Sequence, residues 1–127
     1  MALPHENLLA WQRADDLFIE VHRLTQERFP GREHDELGAQ IRRAAFSVAA
    51  NIVEGIARDH AGEKLKFLNI SVASLRELGY GLHAASRLGY IDSAAFTEYE
   101  KKLSYIAAPL HGLIRRERAK RPFAAPG

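Results

Sequence analysis

Arg43-Ala44-Ala45-Phe46-Ser47-Val48-Ala49-Ala50-Asn51-Ile52-Val53-Glu54-Gly55-Ile56-Ala57-Arg58 carries a single charge, Glu54, in the fourteen residues between its two arginines. Leu37, Ile41, Ala44, Val48, Ile52 and Gly55 advance by threes and fours, the period of an α-helix burying one face, whereas a half-buried strand would alternate. A helix in an isolated bundle turns a polar face to water. This one has no such face, and Ala44, Ala45, Ala49, Ala50 and Ala57 permit close backbone approach. Two expectations follow: the chain is all-α, and the outer side of this helix is covered by another copy.

Working outward, turn signals divide the rest of the chain into three more helical stretches. The first covers about residues 7–27, with Leu8, Trp11, Ala14, Phe18, Val21 and Thr25 on one stripe, and it ends at Phe29-Pro30-Gly31. The second, containing the stretch above, spans about 35–58, opening on Asp35 and Glu36, which suit the positive end of a helix dipole. The third spans about 63–87, with Leu65, Leu68, Val72, Leu75, Leu82 and Leu88 on one seam. Gly89 then stands where a left-handed residue closes a helix, and Asp92 where a carboxylate caps the next. The fourth spans about 92–118, carries Phe96, Tyr99, Leu103, Ile106, Leu110 and Leu113, and encloses Pro109. Proline removes one backbone hydrogen bond and crowds the Tyr105 carbonyl, which predicts a kink near 105–109. Residues 119–127 read as a basic, frayed tail. Short connections between long helices mark antiparallel neighbours, so the predicted fold is one domain, an up-down-up-down four-helix bundle.

At 127 residues, with 46% hydrophobic and 27% charged side chains, the chain can bury a core without disulfides or metals. Cysteine is absent, which excludes disulfides, thiol catalysis and thiolate metal sites. No run approaches the ~18 apolar residues of a membrane span. The start, Met-Ala-Leu-Pro-His-Glu, has neither the basic nor the apolar segment of a secretion signal. A cytoplasmic protein with no membrane partner is expected.

The net charge of +2 conceals an asymmetry. Residues 1–63 hold 7 basic and 11 acidic side chains, residues 64–127 hold 11 and 5. Much of the excess lies in Arg115-Arg116-Glu117-Arg118-Ala119-Lys120-Arg121. Arg42, Arg58, Arg115, Arg116, Arg118, Lys120 and Arg121 are the candidate nucleic-acid contacts, because phosphate neutralisation is the first term in gripping a polyanion. The same tail also complements the negative end of a helix dipole.

Candidate chemistry is sparse. No Glu-x-x-His pair of the kind that holds two metals in a bundle core occurs, and no His-x-x-x-His pair puts two imidazoles on one helical face. There is no glycine-rich phosphate loop and no nucleophile elbow, so neither cofactor nor enzymatic activity is expected. Helical spacing gathers Arg43, Ser47, Asn51 and Glu54 on one side of the second helix, and Ser74 and Glu77 on the third are placed to meet them. Buried charges require partners, so these six are expected to form a buried polar network. It would fix helix alignment or serve as a ligand or subunit-registry site. An enzyme would instead need Arg43, Glu54 and Glu77 gathered in an open cleft.

Ala10-Trp11-Gln12-Arg13-Ala14, Gln40-Ile41-Arg42-Arg43-Ala44-Ala45-Phe46-Ser47-Val48, Asn51-Ile52-Val53-Glu54-Gly55 and Ser74-Leu75-Arg76-Glu77-Leu78 resemble the signature of the bacterial 23S rRNA intervening-sequence proteins. The likeness runs from Leu9 to Ile114. It implies a four-helix protomer assembling as a homopentamer, in keeping with the apolar second helix. That family is similar in turn to the accessory protein of diversity-generating retroelements, a basic pentameric barrel that binds nucleic acid and a reverse transcriptase. The chain is therefore expected to be a non-enzymatic homo-oligomer with RNA or DNA as partner. The alternative is a scaffold for an unidentified protein partner, without nucleic-acid affinity.

Overall fold

The computed structural model describes residues 4–120, a chain of helices with no strand among the described residues. A 3-10 turn, Pro4–Asn7, leads into α1, Leu9–Arg28; a five-residue turn of helix, α2, spans Gly31–Asp35; the long helices α3, α4 and α5 span Leu37–Ile56, Ala61–Arg87 and Ser93–Lys120.

Local sequence sets the boundaries. Pro30 disfavours helical backbone in the residue before it, and Phe29 accordingly turns extended at φ −84°, ψ 130°. The separate α2 was not expected: the acidic run Glu33-His34-Asp35-Glu36 forms its own short turn, and Glu36, at φ −98°, ψ −87°, breaks it from α3. At the far end of α4, Gly89 adopts φ +81°. Its N–H bonds the Ser86 carbonyl at 3.0 Å and the Tyr90 N–H reaches the Ala85 carbonyl at 2.9 Å, the two-bond closure that a left-handed glycine permits. Asp92 caps α5 as expected, its Oδ1 accepting from the Ala95 N–H at 2.8 Å.

Pro109 lies within α5, and the helix runs through it unbroken. The carbonyl left without its helical donor is that of Tyr105, four residues back. Arg13 of α1 supplies the replacement, its Nη1 donating to Tyr105 O at 2.5 Å. Helix α5 also continues to Lys120, so Ala119 and Lys120, expected to fray, are helical. Arg121 and the rest of the expected tail lie outside the described residues.

Helix α3 packs against α1 and α4, α4 against α5, and α5 against α1, placing α3 and α5 on one diagonal of the bundle. Ile41, Val48 and Ile52 of α3 meet Leu68, Leu78 and Leu82 of α4, Val21 of α1 and Ile106 and Leu110 of α5 in one buried core. The closest pairing is α3 with α4. Ile41 faces Gly81, Ser47 faces Ser74, the Val48 carbonyl accepts from Ser71 Oγ at 2.7 Å, and Gly55 fits against Lys64, Phe67 and Leu68.

Candidate nucleic-acid interface and self-association face

The outer face of α3 is what its sequence suggested. Phe46 is 60% exposed and Ala57 is exposed, with Ala50 and Val53 half-buried between them. Phe46 touches the half-buried Phe18 of α1 edge-to-face at 5.8 Å, and Ile19, also exposed, lies beyond it on α1. The polar side chains bordering this stripe are Arg43 and Glu54, both exposed.

Only part of the expected polar network forms. The Ser47 and Ser74 hydroxyls are 2.7 Å apart, and Asn51 Nδ2 donates to Ser47 Oγ at 2.9 Å and to Ser47 O at 2.8 Å. The three charged members are a correction: Arg43, Glu54 and Glu77 are exposed rather than buried, and none bonds to another. Glu54 pairs instead with Arg58, four residues on and just past the end of α3, at 2.9 Å. Helical periodicity puts all six on neighbouring faces, but only the three short side chains fall between the helices; the long charged ones reach solvent, where charge is cheapest to hold. Arg43, Glu54 and Glu77 therefore do not line a common cleft.

The basic candidates also divide. Arg42 faces inward: Nη1 donates to Thr25 Oγ1 at 2.8 Å and Nη2 to the His34 carbonyl at 3.0 Å. It ties α1 and the α2 turn to α3, so both terminal nitrogens of this candidate phosphate contact already have partners within the fold. Arg58 is half-committed, paired with Glu54 and stacked 4.6 Å over the Phe67 ring. By contrast Arg115, Arg116, Arg118 and Lys120 are all exposed on the last turns of α5. Arg121 lies outside the described residues.

Between Arg116 and Arg118, Glu117 is only 6% exposed. Its Oε1 accepts from Lys120 Nζ at 3.2 Å. It lines a recess with Asp59, His60, Ala61, Gly62 and Lys64, beside the first turn of α4, where no side chain caps the helix and the positive dipole end favours a carboxylate. The one acid of the tail is thus turned into the fold, paired with Lys120, while Arg115, Arg116 and Arg118 stay exposed. Charge alone marks Glu117 as part of the tail, but the spacing Leu110, Leu113, Ile114, Glu117 puts it on the buried stripe.

A carboxylate-free stretch extends the basic end. From Lys101 to Arg116, helix α5 contains no Asp or Glu. On its outer side stand the exposed Ser104, Tyr105, Ala108, His111 and Arg115. Arg13 lies over the Tyr105 ring, Cζ 5.6 Å from its centroid. Along the α1–α5 seam, Lys102 Nζ holds Glu20 Oε2 at 2.6 Å. That hydrogen bond, joined by the charge of Glu20 and opposed by the cost of burial, holds the Lys102 ammonium above its usual pKa. Burial raises the Tyr99 phenol, with the Glu20 charge adding to it.

The family model described as 23S rRNA-intervening sequence protein matches residues 6–112. The chain belongs to that family. No curated protein matches it significantly. The residues that carry the resemblance hold helices together in this chain: Ala10 and Ala14 are buried in α1, Arg42 joins three elements, Ala44 and Ala45 are buried, and Ser47, Asn51, Gly55 and Ser74 make the α3–α4 seam. The matched span ends before Arg115, so the basic end of this intervening-sequence protein lies beyond the family match.

Among the described residues, no three His, Asp or Glu side chains converge as a metal site would require. Among the same residues, no helix is long and apolar enough to cross a membrane.

Proposed function

We propose that this protein is a non-enzymatic homo-oligomer, an up-down-up-down bundle assembled as a pentamer, that binds RNA or DNA through the basic ends of its α5 helices. The observation that carries this reading is the opposition of two faces on diagonal helices. The outer side of α3 presents Phe46, Ala50, Val53 and Ala57, while that of α5 presents Arg115 and Arg118, with Arg116 and Lys120 flanking. A closed ring joins the α3 face of one copy to a different face of the next, and in this reading that second face is not the α5 end. The ring then repeats a modest cationic patch in each protomer, and multivalency turns several weak phosphate contacts into one strong one.

The test is fluorescence-anisotropy binding to structured RNA and duplex DNA across a salt series. The triple substitution Arg115→Gln, Arg116→Gln, Arg118→Gln serves as comparison, because deleting the helix end would also remove the buried Glu117. Binding that weakens steeply with salt and is lost in the triple variant supports the reading. No binding at low salt contradicts it and leaves the exposed apolar residues, Phe46 and Tyr80 among them, to a protein-scaffold role.

A further inference from the structure

We infer that the α5 face is built for an unpaired strand, with Tyr105 as a stacking platform for one base and Arg115, Arg116 and Arg118 as contacts for the phosphates that follow. The inference rests on the nucleic-acid reading above and specifies the form of the ligand.

Tyr105 is 59% exposed although it sits mid-helix in a bundle. Its neighbours explain why it is held in place rather than free. Pro109 strips its carbonyl of the helical donor, Arg13 takes that role at 2.5 Å, and the same guanidinium then lies over the ring. The phenol thus has a cation against it, and no other aromatic ring stacks on it among the described residues. An aromatic ring backed by arginine beside a cationic track is the combination that binds single strands without reading their sequence, because every base has a π-face to stack. A duplex keeps its bases stacked on one another and could use only the arginines.

Electrostatics favour the same path. No carboxylate interrupts α5 between Lys101 and Arg116. On α1 the nearest acids are Asp16 and Glu20, which line the groove beside Tyr105 with Lys102, and Glu20 is neutralised by Lys102. From Tyr105 the helix rises about 16 Å, at ~1.5 Å per residue, to Arg116, which eleven steps of about 100° return to the same side, with Arg115 and Arg118 turned progressively away from it. That length accommodates roughly five phosphates of a stacked strand at ~3.4 Å each. The face lies on the helix diagonal to α3, apart from the apolar stripe of that helix.

The experiment compares anisotropy Kd values of oligouridine, oligothymidine and a short mixed-sequence duplex for the unmodified protein, Tyr105→Ala, Tyr105→Trp and the triple arginine variant, with light-scattering masses of each. The single strands should bind more tightly than the duplex. Tyr105→Ala should weaken single-strand binding about tenfold, the equivalent of about 1.4 kcal/mol of stacking, leave duplex binding unchanged, and be rescued by Tyr105→Trp. Unchanged single-strand affinity in Tyr105→Ala, an equal loss for the duplex, or a fall in mass showing Tyr105 to be a subunit contact would overturn the inference. Of these outcomes, salt-sensitive binding lost only in the triple variant would leave the nucleic-acid reading standing. No binding by the unmodified protein would remove both.

Discussion

Arg13 of α1 donates to the carbonyl of Tyr105, the group that Pro109 deprives of its own helical partner. A proline inside a helix is compensated here from the neighbouring helix, which explains why α5 continues past it to Lys120.

A double-mutant cycle follows from that compensation. Arg13→Ala alone should cost about 1 kcal/mol, the net worth of a hydrogen bond that water can partly replace. Pro109→Ala should stabilise the protein, since proline in a helix interior is roughly 3 kcal/mol worse than alanine before compensation. In the Pro109→Ala background the Arg13→Ala cost should shrink by half or more. Additive effects in urea titrations would show that Arg13 does not serve the carbonyl.

Two glycines of α4 should respond in opposite directions. A Cβ at Gly81 would stand 2.7 Å from Ile41 Cγ1 in the core, whereas at Gly79 the nearest atom is Leu103 Cδ1 at 3.5 Å, an ordinary contact. Gly79→Ala should raise stability by about 0.5 to 1 kcal/mol through helix propensity. Gly81→Ala should lower it by about 1 kcal/mol or more, overpacking outweighing propensity. Thermal melts of the two single variants suffice, and a stabilised Gly81→Ala would refute the close α3–α4 approach.

The Lys102–Glu20 pair fixes a sign for alkaline pH. A lysine whose folded pKa is raised contributes stability that is fully present below its unfolded value, 10.5, and is lost as pH climbs through the folded value. Tyr99, raised by burial above 10.0, acts in the same direction. Stability should therefore fall as pH rises past about 10. Lys102→Met should lessen that fall while costing about 0.2 to 1 kcal/mol at neutral pH, as befits a half-exposed pair. Denaturant midpoints at neutral and alkaline pH, with Tyr99→Phe to separate the phenol, decide it; an identical alkaline loss in Lys102→Met would discount the pair.

The helices were legible from apolar spacing because burial selects residues every three or four positions, and the caps at Gly89 and Asp92 were legible because backbone geometry there restricts residue type. The α2 turn was not, since a short acidic run reads equally as a loop. Within the candidate site, spacing placed Ser47, Asn51 and Ser74 on facing sides correctly. It could not say that Arg43, Glu54 and Glu77, on nearly the same faces, would extend to solvent, because side-chain length rather than periodicity decides that. Arg42 looked like surface charge next to Arg43, yet 100° of helical rotation carries it to Thr25 and His34. The inward turn of Glu117 was readable only by following the Leu110, Leu113, Ile114 stripe into a run that composition marks as a charged tail.

Everything proposed about assembly depends on the exposed apolar face of α3. Light scattering on the unmodified chain beside Phe46→Glu, across micromolar concentrations, tests it most directly. The unmodified protein should show a mass several times 14.2 kDa and Phe46→Glu a shift toward the single-chain mass, with helical content retained in both. A monomeric unmodified protein, or an oligomer indifferent to a charge at Phe46, would contradict it.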